Sequence, residues 1–180
     1  YLLHGLSDDY SIWMRRTSIE RYASEHGIAV VMPSVTRSWY SNTAYGAKYF
    51  SFVAEELPAL CRSYFKGMSD AREDNLVAGL SMGGYGALKI ALREAGKYRA
   101  AAALSPVCEP VGSSFDGLLQ SIFGSKDLPN EDNLLYLAQM QKNNPEKPQI
   151  YFAIGTEDFL YPSSRSLCKL LRDSGYDFTY

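Results

Sequence analysis

Short apolar runs alternate with amphipathic stretches along the whole chain. Residues 1–4 read as the end of a buried strand running into His4-Gly5. Ile12, Ile19, Tyr22 and Ala23 recur near helical spacing over 12–26, and Gly27 closes that helix. Residues 28–32 are wholly apolar and rich in β-branched side chains, with Pro33 to stop them, which predicts a central parallel strand. A polar and aromatic loop over 34–45 leads to a helix from about 46 to 66, which Pro58 should kink or split. A strand over 75–80, a small-residue helix over 82–93 and a strand over 100–104 follow. Residues 105–148 hold Pro-, Gly- and Asp-rich turns and one helix near 132–142, read as an excursion over the top of a sheet. Residues 149–155 read as a strand. Pro162 stands where a first helical residue would, Leu167, Leu170 and Leu171 mark that helix's apolar face, and Gly175 ends it before a last strand from 176.

Strand and helix in repetition predict a mostly parallel sheet with helices on both faces. A chain of 180 residues suits one domain over 1–180, with a cap-like excursion at about 105–148. Apolar residues at 46% and charged residues at 21% are ordinary for a globular protein. The net charge is -2 with both signs mixed, so neither a nucleic-acid nor a membrane partner is expected. No apolar run reaches membrane-spanning length. Cys61, Cys108 and Cys168 are odd in number, widely spaced and without a C-x-x-C pair. That argues against a disulfide framework or a zinc site and favours a reducing, cytoplasmic compartment. The opening Tyr1-Leu-Leu-His-Gly5 carries no Met and falls inside a strand, so the chain reads as a fragment.

Chemistry enters at Gly79-Leu80-Ser81-Met82-Gly83, a G-x-S-x-G match between an apolar strand and a helix of small residues. This is the setting of a nucleophile elbow. A serine on so sharp a turn needs glycine-sized neighbours, and the helix N-terminus beside it supplies N–H groups where an oxyanion would form. Acyl transfer needs two such donors. Met82, after the nucleophile, is one candidate; Leu6, after the first strand, is the other, with Gly5 leaving room for the backbone to turn inward. His4 reads as a prop for that loop. On the turn after strand 149–155, Glu157 and Asp158 both qualify as the acid of a triad, or as charges favourable near a helix start. Trp39, Tyr40 and Tyr45 lie at the edge where open α/β sheets bind ligands and are expected to line a substrate pocket, the alternative being ordinary packing of aromatics under the loop. Ser105 and Cys108 read as structural, and the S-x-x-K matches at Ser63 and Ser166 as coincidence.

Several of these pieces together resemble the esterase D family of α/β hydrolases, and within it bacterial tributyrin esterases. They are Tyr1-Leu-Leu-His-Gly5, Trp13 with Arg16-Thr17, Val30-Val-Met-Pro33, Trp39-Tyr40, Tyr45-Gly46, Glu55-Glu-Leu-Pro58, Ala78 through Gly86, and Gly155-Thr-Glu-Asp-Phe-Leu-Tyr161. Residues 105–148 match least. The resemblance implies a three-layer sandwich around a mostly parallel sheet, here truncated at both ends. It implies a Ser-Asp-His triad with Ser81 as nucleophile and Asp158 as acid, Leu6 and Met82 as oxyanion donors, no metal or cofactor, and short acyl esters as small-molecule substrates. The departure is the base. Only His4 and His26 exist and neither follows Asp158, so the triad histidine is expected beyond this chain, which alone should be nearly inactive. An acyltransferase of the same fold and a catalytically degenerate binding module are the alternatives.

Overall fold

The computed structural model describes residues 1–110 and 116–180. Five strands, β1 (Leu2–Leu3), β2 (Leu76–Leu80), β3 (Ala100–Leu104), β4 (Gln149–Ala153) and β5 (Phe178–Thr179), form one sheet in the order β1-β2-β3-β4-β5, and every neighbouring pair is parallel. The helices in chain order are α1 (Ile12–Arg16), α2 (Ile19–His26), α3 (Tyr49–Ser51), α4 (Leu57–Tyr64), α5 (Met82–Arg93), α6 (Asp116–Phe123), α7 (Leu134–Met140) and α8 (Tyr161–Asp173).

The register decides what the strands deliver. Leu3 stands opposite Gly79, and Leu80, Leu104 and Ala153 share one row. The chain therefore leaves four neighbouring strands at one edge. The segment after Leu3, Ser81, Ser105 and the turn over 155–158 collect there.

Alternation along the strands turns Val77, Ala101, Ala103, Ile150 and Phe152 inward. On that face α5 packs against β1, β2 and β3, buried from Met82 to Leu92. The layer continues through α7, which packs between α5 and α8. Of the stretch expected above the sheet, α7 thus belongs to the helical layer, and 111–115 lie outside the described residues. On the opposite face Leu76 and Tyr151 remain 48% and 51% exposed.

Three local expectations change. Residues 28–32 form no ladder strand. They touch the sheet through one bond, from the Leu2 N–H to the Val31 carbonyl at 2.9 Å, and Ile28 is exposed. Among the described residues the segment runs alongside β1, without the ladder that its apolar content predicts. The 12–26 helix breaks at Thr17-Ser18, where the Thr17 hydroxyl accepts from the Ile19 N–H and restarts it. The helix expected over 46–66 is interrupted next to Pro58, as its proline predicts: Pro58 sits in the first turn of α4, and a π-helical turn, Phe52–Glu56, joins α4 to α3 ahead of it. Finally, α6 was not expected, although Leu119 and Ile122 supply its buried side.

Leu88, fully buried on α5, tests the packing of this face. Leu88→Ala should lower unfolding stability by about 2–5 kcal/mol, read as a lower urea midpoint at unchanged m-value.

Candidate active site

The bend between β2 and α5 is closed by backbone against backbone. A Cβ on Gly79 would lie 2.3 Å from the Gly83 carbonyl oxygen, and a Cβ on Gly83 would lie 2.4 Å from that of Leu3. Only glycines permit these approaches. Between them Ser81 is forced to φ 57° and ψ -116°, a region that residues with a Cβ rarely occupy. Its backbone is pinned on both sides: the Ser81 N–H donates to Leu104 O at 2.9 Å, and Tyr85 N–H donates to Ser81 O at 3.0 Å. The side chain is half-buried at the start of α5, where the helix presents the positive end of its dipole.

The second wall is residues 4–6. Gly83 brings α5 against Leu3 and His4, so this loop borders the first turn of the helix. The Gly5 carbonyl accepts from His4 Nδ1 at 2.7 Å and from the Asp8 N–H at 3.2 Å. Because a peptide unit is planar, holding Gly5 O also holds the Leu6 N–H at the other end of that unit. His4 is itself locked. Nε2 accepts from the Val35 N–H at 3.0 Å, which leaves the proton on Nδ1, and the Tyr40 hydroxyl donates to His4 O at 2.9 Å. The expectation that His4 props the loop fits these bonds. Both of its ring nitrogens are engaged. His26 lies at the exposed C-terminal end of α2. Met82 is the first residue of α5, so its N–H has no partner within the helix.

Past β4 the chain turns through 155–158. Asp158 Oδ1 accepts from the Leu160 N–H at 2.8 Å and the residue is half-buried, whereas Glu157 is exposed. That bond gives the carboxylate a fixed direction and ties the turn that starts α8.

Trp39 and Tyr40 are placed otherwise than expected. At 1% and 0% exposure both belong to the core and present no surface to a ligand. Trp39 meets Tyr85 edge-on, and Tyr40 lies so close to Gly86 that a Cβ there would be 2.5 Å from its ring. They support the site from behind. Tyr45 is 81% exposed, beside Gly124. Ser105 also has positive φ, at 39°, and its N–H donates to Ala153 O at 2.6 Å. Cys108 is buried, and burial pushes its thiol well above the ordinary range.

Sequence reasoning missed a buried ionic cluster behind the bend. Lys89, on α5, is fully buried. Its ammonium donates to Asp132 Oδ1 at 2.6 Å, to Ser41 Oγ at 2.6 Å and to Trp39 O at 2.9 Å. Ser41 Oγ donates in turn to Asp132 Oδ1 at 2.7 Å, and the Tyr85 hydroxyl donates to Asp132 O. Burial pulls Lys89 down to about 8, with the Asp132 carboxylate at 2.6 Å drawing it back up. A lone lysine inside Ala87-Leu88-Lys89-Ile90-Ala91-Leu92 was the available signal.

Strain at Ser81 has a measurable consequence. Ser81→Gly should be more stable than Ser81→Ala by about 1 kcal/mol in urea unfolding, since only glycine relaxes at this φ; equal stabilities would mean that the bend is not strained.

Comparisons with known proteins bear on the family and the fold. The Esterase family model matches residues 1–168. An acetyl esterase of Caldicellulosiruptor saccharolyticus is 30% identical over 199 aligned positions, covering all of this chain and 73% of that protein. The S-formylglutathione hydrolase of Mus musculus is 34% identical over 134 positions, 62% of this chain and 46% of that enzyme. The chain thus matches less than half the length of the mouse protein. Among solved structures, substrate-bound FphF of Staphylococcus aureus, a fluorophosphonate-binding serine hydrolase, superposes with a TM-score of 0.86 at 36% identity, over 99% of this chain and 72% of FphF. The S-formylglutathione hydrolase FrmB of Staphylococcus aureus gives 0.81 at 35% identity, over 99% and 73%. With this agreement of sequence and fold, the chain belongs to the Esterase family, in the esterase D branch of the α/β hydrolases, and is by family a carboxylic-ester hydrolase.

Proposed function

We propose that Ser81 is the nucleophile of a serine esterase acting on short-chain acyl esters. One observation carries the reading: a non-glycine residue held at φ 57° between two glycines, at the strand edge beside the 4–6 loop. Strain of this kind persists where presentation of a side chain requires it.

The mechanism follows from the groups around the bend. Ser81 Oγ attacks the ester carbonyl carbon while its proton passes to an imidazole. The carbonyl oxygen becomes an oxyanion and is received by the N–H groups of Leu6 and Met82. Collapse of the tetrahedral species breaks the bond to the alcohol, which takes the proton from the imidazolium. Water then repeats the sequence on the acyl-enzyme and frees the acid. Asp158 orients the imidazole and stabilises its charged form. That imidazole is neither His4, bonded through both nitrogens, nor exposed His26, and the reading puts it outside residues 1–180. The chemistry draws on no metal or cofactor.

Two features support the finer assignments. Asp158 is half-buried with a fixed carboxylate and Glu157 is exposed, which favours Asp158 as the acid. Acetyl esterase and S-formylglutathione hydrolase relatives carry names that specify one- and two-carbon acyl groups, which favours a small acyl pocket. Three buried cysteines, all unpaired, favour a reducing, cytoplasmic setting.

In the full-length gene product, a fluorophosphonate probe should label the protein, and Ser81→Ala should abolish the labelling; labelling that survives would assign the nucleophile elsewhere. Asp158→Asn should lower kcat for a short acyl ester by about a thousandfold or more. Glu157→Gln should leave it little changed, and the reverse order would move the acid to Glu157.

A further inference from the structure

Two consecutive residues of the 34–41 loop, Trp39 and Tyr40, stand at φ 57° and 52°. Neither is a glycine, and both side chains are large. A left-handed pair of this kind does not hold itself, because each Cβ crowds its own backbone. What holds it here is the ammonium of Lys89, one of whose three donors goes to the carbonyl of Trp39 and another to the hydroxyl of Ser41. The third reaches Asp132, which also takes the Ser41 proton. All three donors of the cation are thus used inside the protein, at the centre of the turn.

The same loop grips His4 at two points. Its Val35 N–H fixes the imidazole, and its Tyr40 hydroxyl fixes the His4 carbonyl. The fixed imidazole holds Gly5 O, and across that planar peptide unit lies the Leu6 N–H. A continuous set of bonds therefore runs from a charge buried under α5 to the amide on the 4–6 loop.

We propose that Lys89, with Asp132 and Ser41, is a positioning group for the oxyanion loop, acting through the left-handed Trp39–Tyr40 turn and the Tyr40–His4 bond. The inference rests on the reading of Ser81 as the esterase nucleophile and Leu6 as an oxyanion donor. It goes beyond that reading in naming residues that touch neither substrate nor nucleophile and still set the rate. An oxyanion donor acts in the transition state and little in the ground state. Misaiming it should lower kcat and spare KM.

The test uses the full-length gene product and a short acyl ester, with kcat and KM measured at a temperature where each variant is folded. Tyr40→Phe removes only the bond to His4 and should lower kcat roughly tenfold, with KM changed by less than about twofold. Lys89→Met should lower kcat at least as far. The double variant should be no slower than Lys89→Met alone, because both act along one path. Should Lys89→Met fail to fold, Ser41→Ala replaces it, with a kcat loss of about threefold or more that is likewise not multiplied by Tyr40→Phe. Wild-type kcat in Tyr40→Phe, or in the folded lysine or serine variant with only the melting temperature lowered, would overturn the proposal. Multiplying effects in the double variant would overturn it too. Ser81→Ala is run alongside. If wild-type hydrolysis does not depend on Ser81, the esterase reading falls and the positioning role falls with it. If hydrolysis depends on Ser81 and the variants leave kcat intact, only the positioning role falls.

Discussion

The bend at Ser81 rests on the approach of two glycines. Gly79, one residue before the end of β2, lies so near Gly83 that no side chain fits on either, and Gly83 in turn abuts the carbonyl of Leu3. Three things follow from that one approach. The chain between the glycines has to take the φ that Ser81 shows. The first turn of α5 is brought against the end of β1, so the 4–6 loop and the helix N-terminus share a border. The helix then lies flat enough on the sheet to be buried from Met82 to Leu92. The backbone of Ser81 and the core packing of α5 are consequences of the same steric constraint.

A bend of this kind presents a hydroxyl. It does not by itself aim the amides that would receive a negative oxygen. In the proposed reading that task falls to the loop over 34–41, a segment without regular secondary structure, which holds His4 by its ring and its carbonyl. The loop in turn depends on a cation taken wholly out of water. Burying Lys89 is unfavourable unless every donor finds a partner, and here each does. A buried pair of this type is poor evidence of stability, since an apolar cluster of equal volume could do as well. It is better evidence of a need for one geometry over others.

The parts of this arrangement that the sequence made legible are those with local causes. Gly-x-Ser-x-Gly between an apolar strand and a small-residue helix is a short-range pattern, and β2, α5, β3, β4 and α8 could be read from runs and periodicity alone. His4 could be read as a prop because it precedes the loop glycine. What escaped has long-range causes. Residues 28–32 have the composition of a strand, but whether a ladder forms depends on the chain beside them, and among the described residues one bond, to Leu2, joins them to the sheet. Trp39 and Tyr40 look like pocket walls because aromatic residues on a loop read alike whether they face a ligand or the core. Their left-handed backbone has no signature in aromatic side chains. Lys89 finds its counter-ion at Asp132, in the stretch least like the family, so no spacing rule links the pair.

The most direct test of the account is a crystal structure of the full-length gene product carrying a phosphonate bonded to Ser81. The account predicts the phosphoryl oxygen at about 2.7–3.1 Å from the backbone nitrogens of both Leu6 and Met82, with Ser81 still at positive φ. An adduct whose oxygen points to solvent, or a Ser81 that relaxes to negative φ, would contradict it.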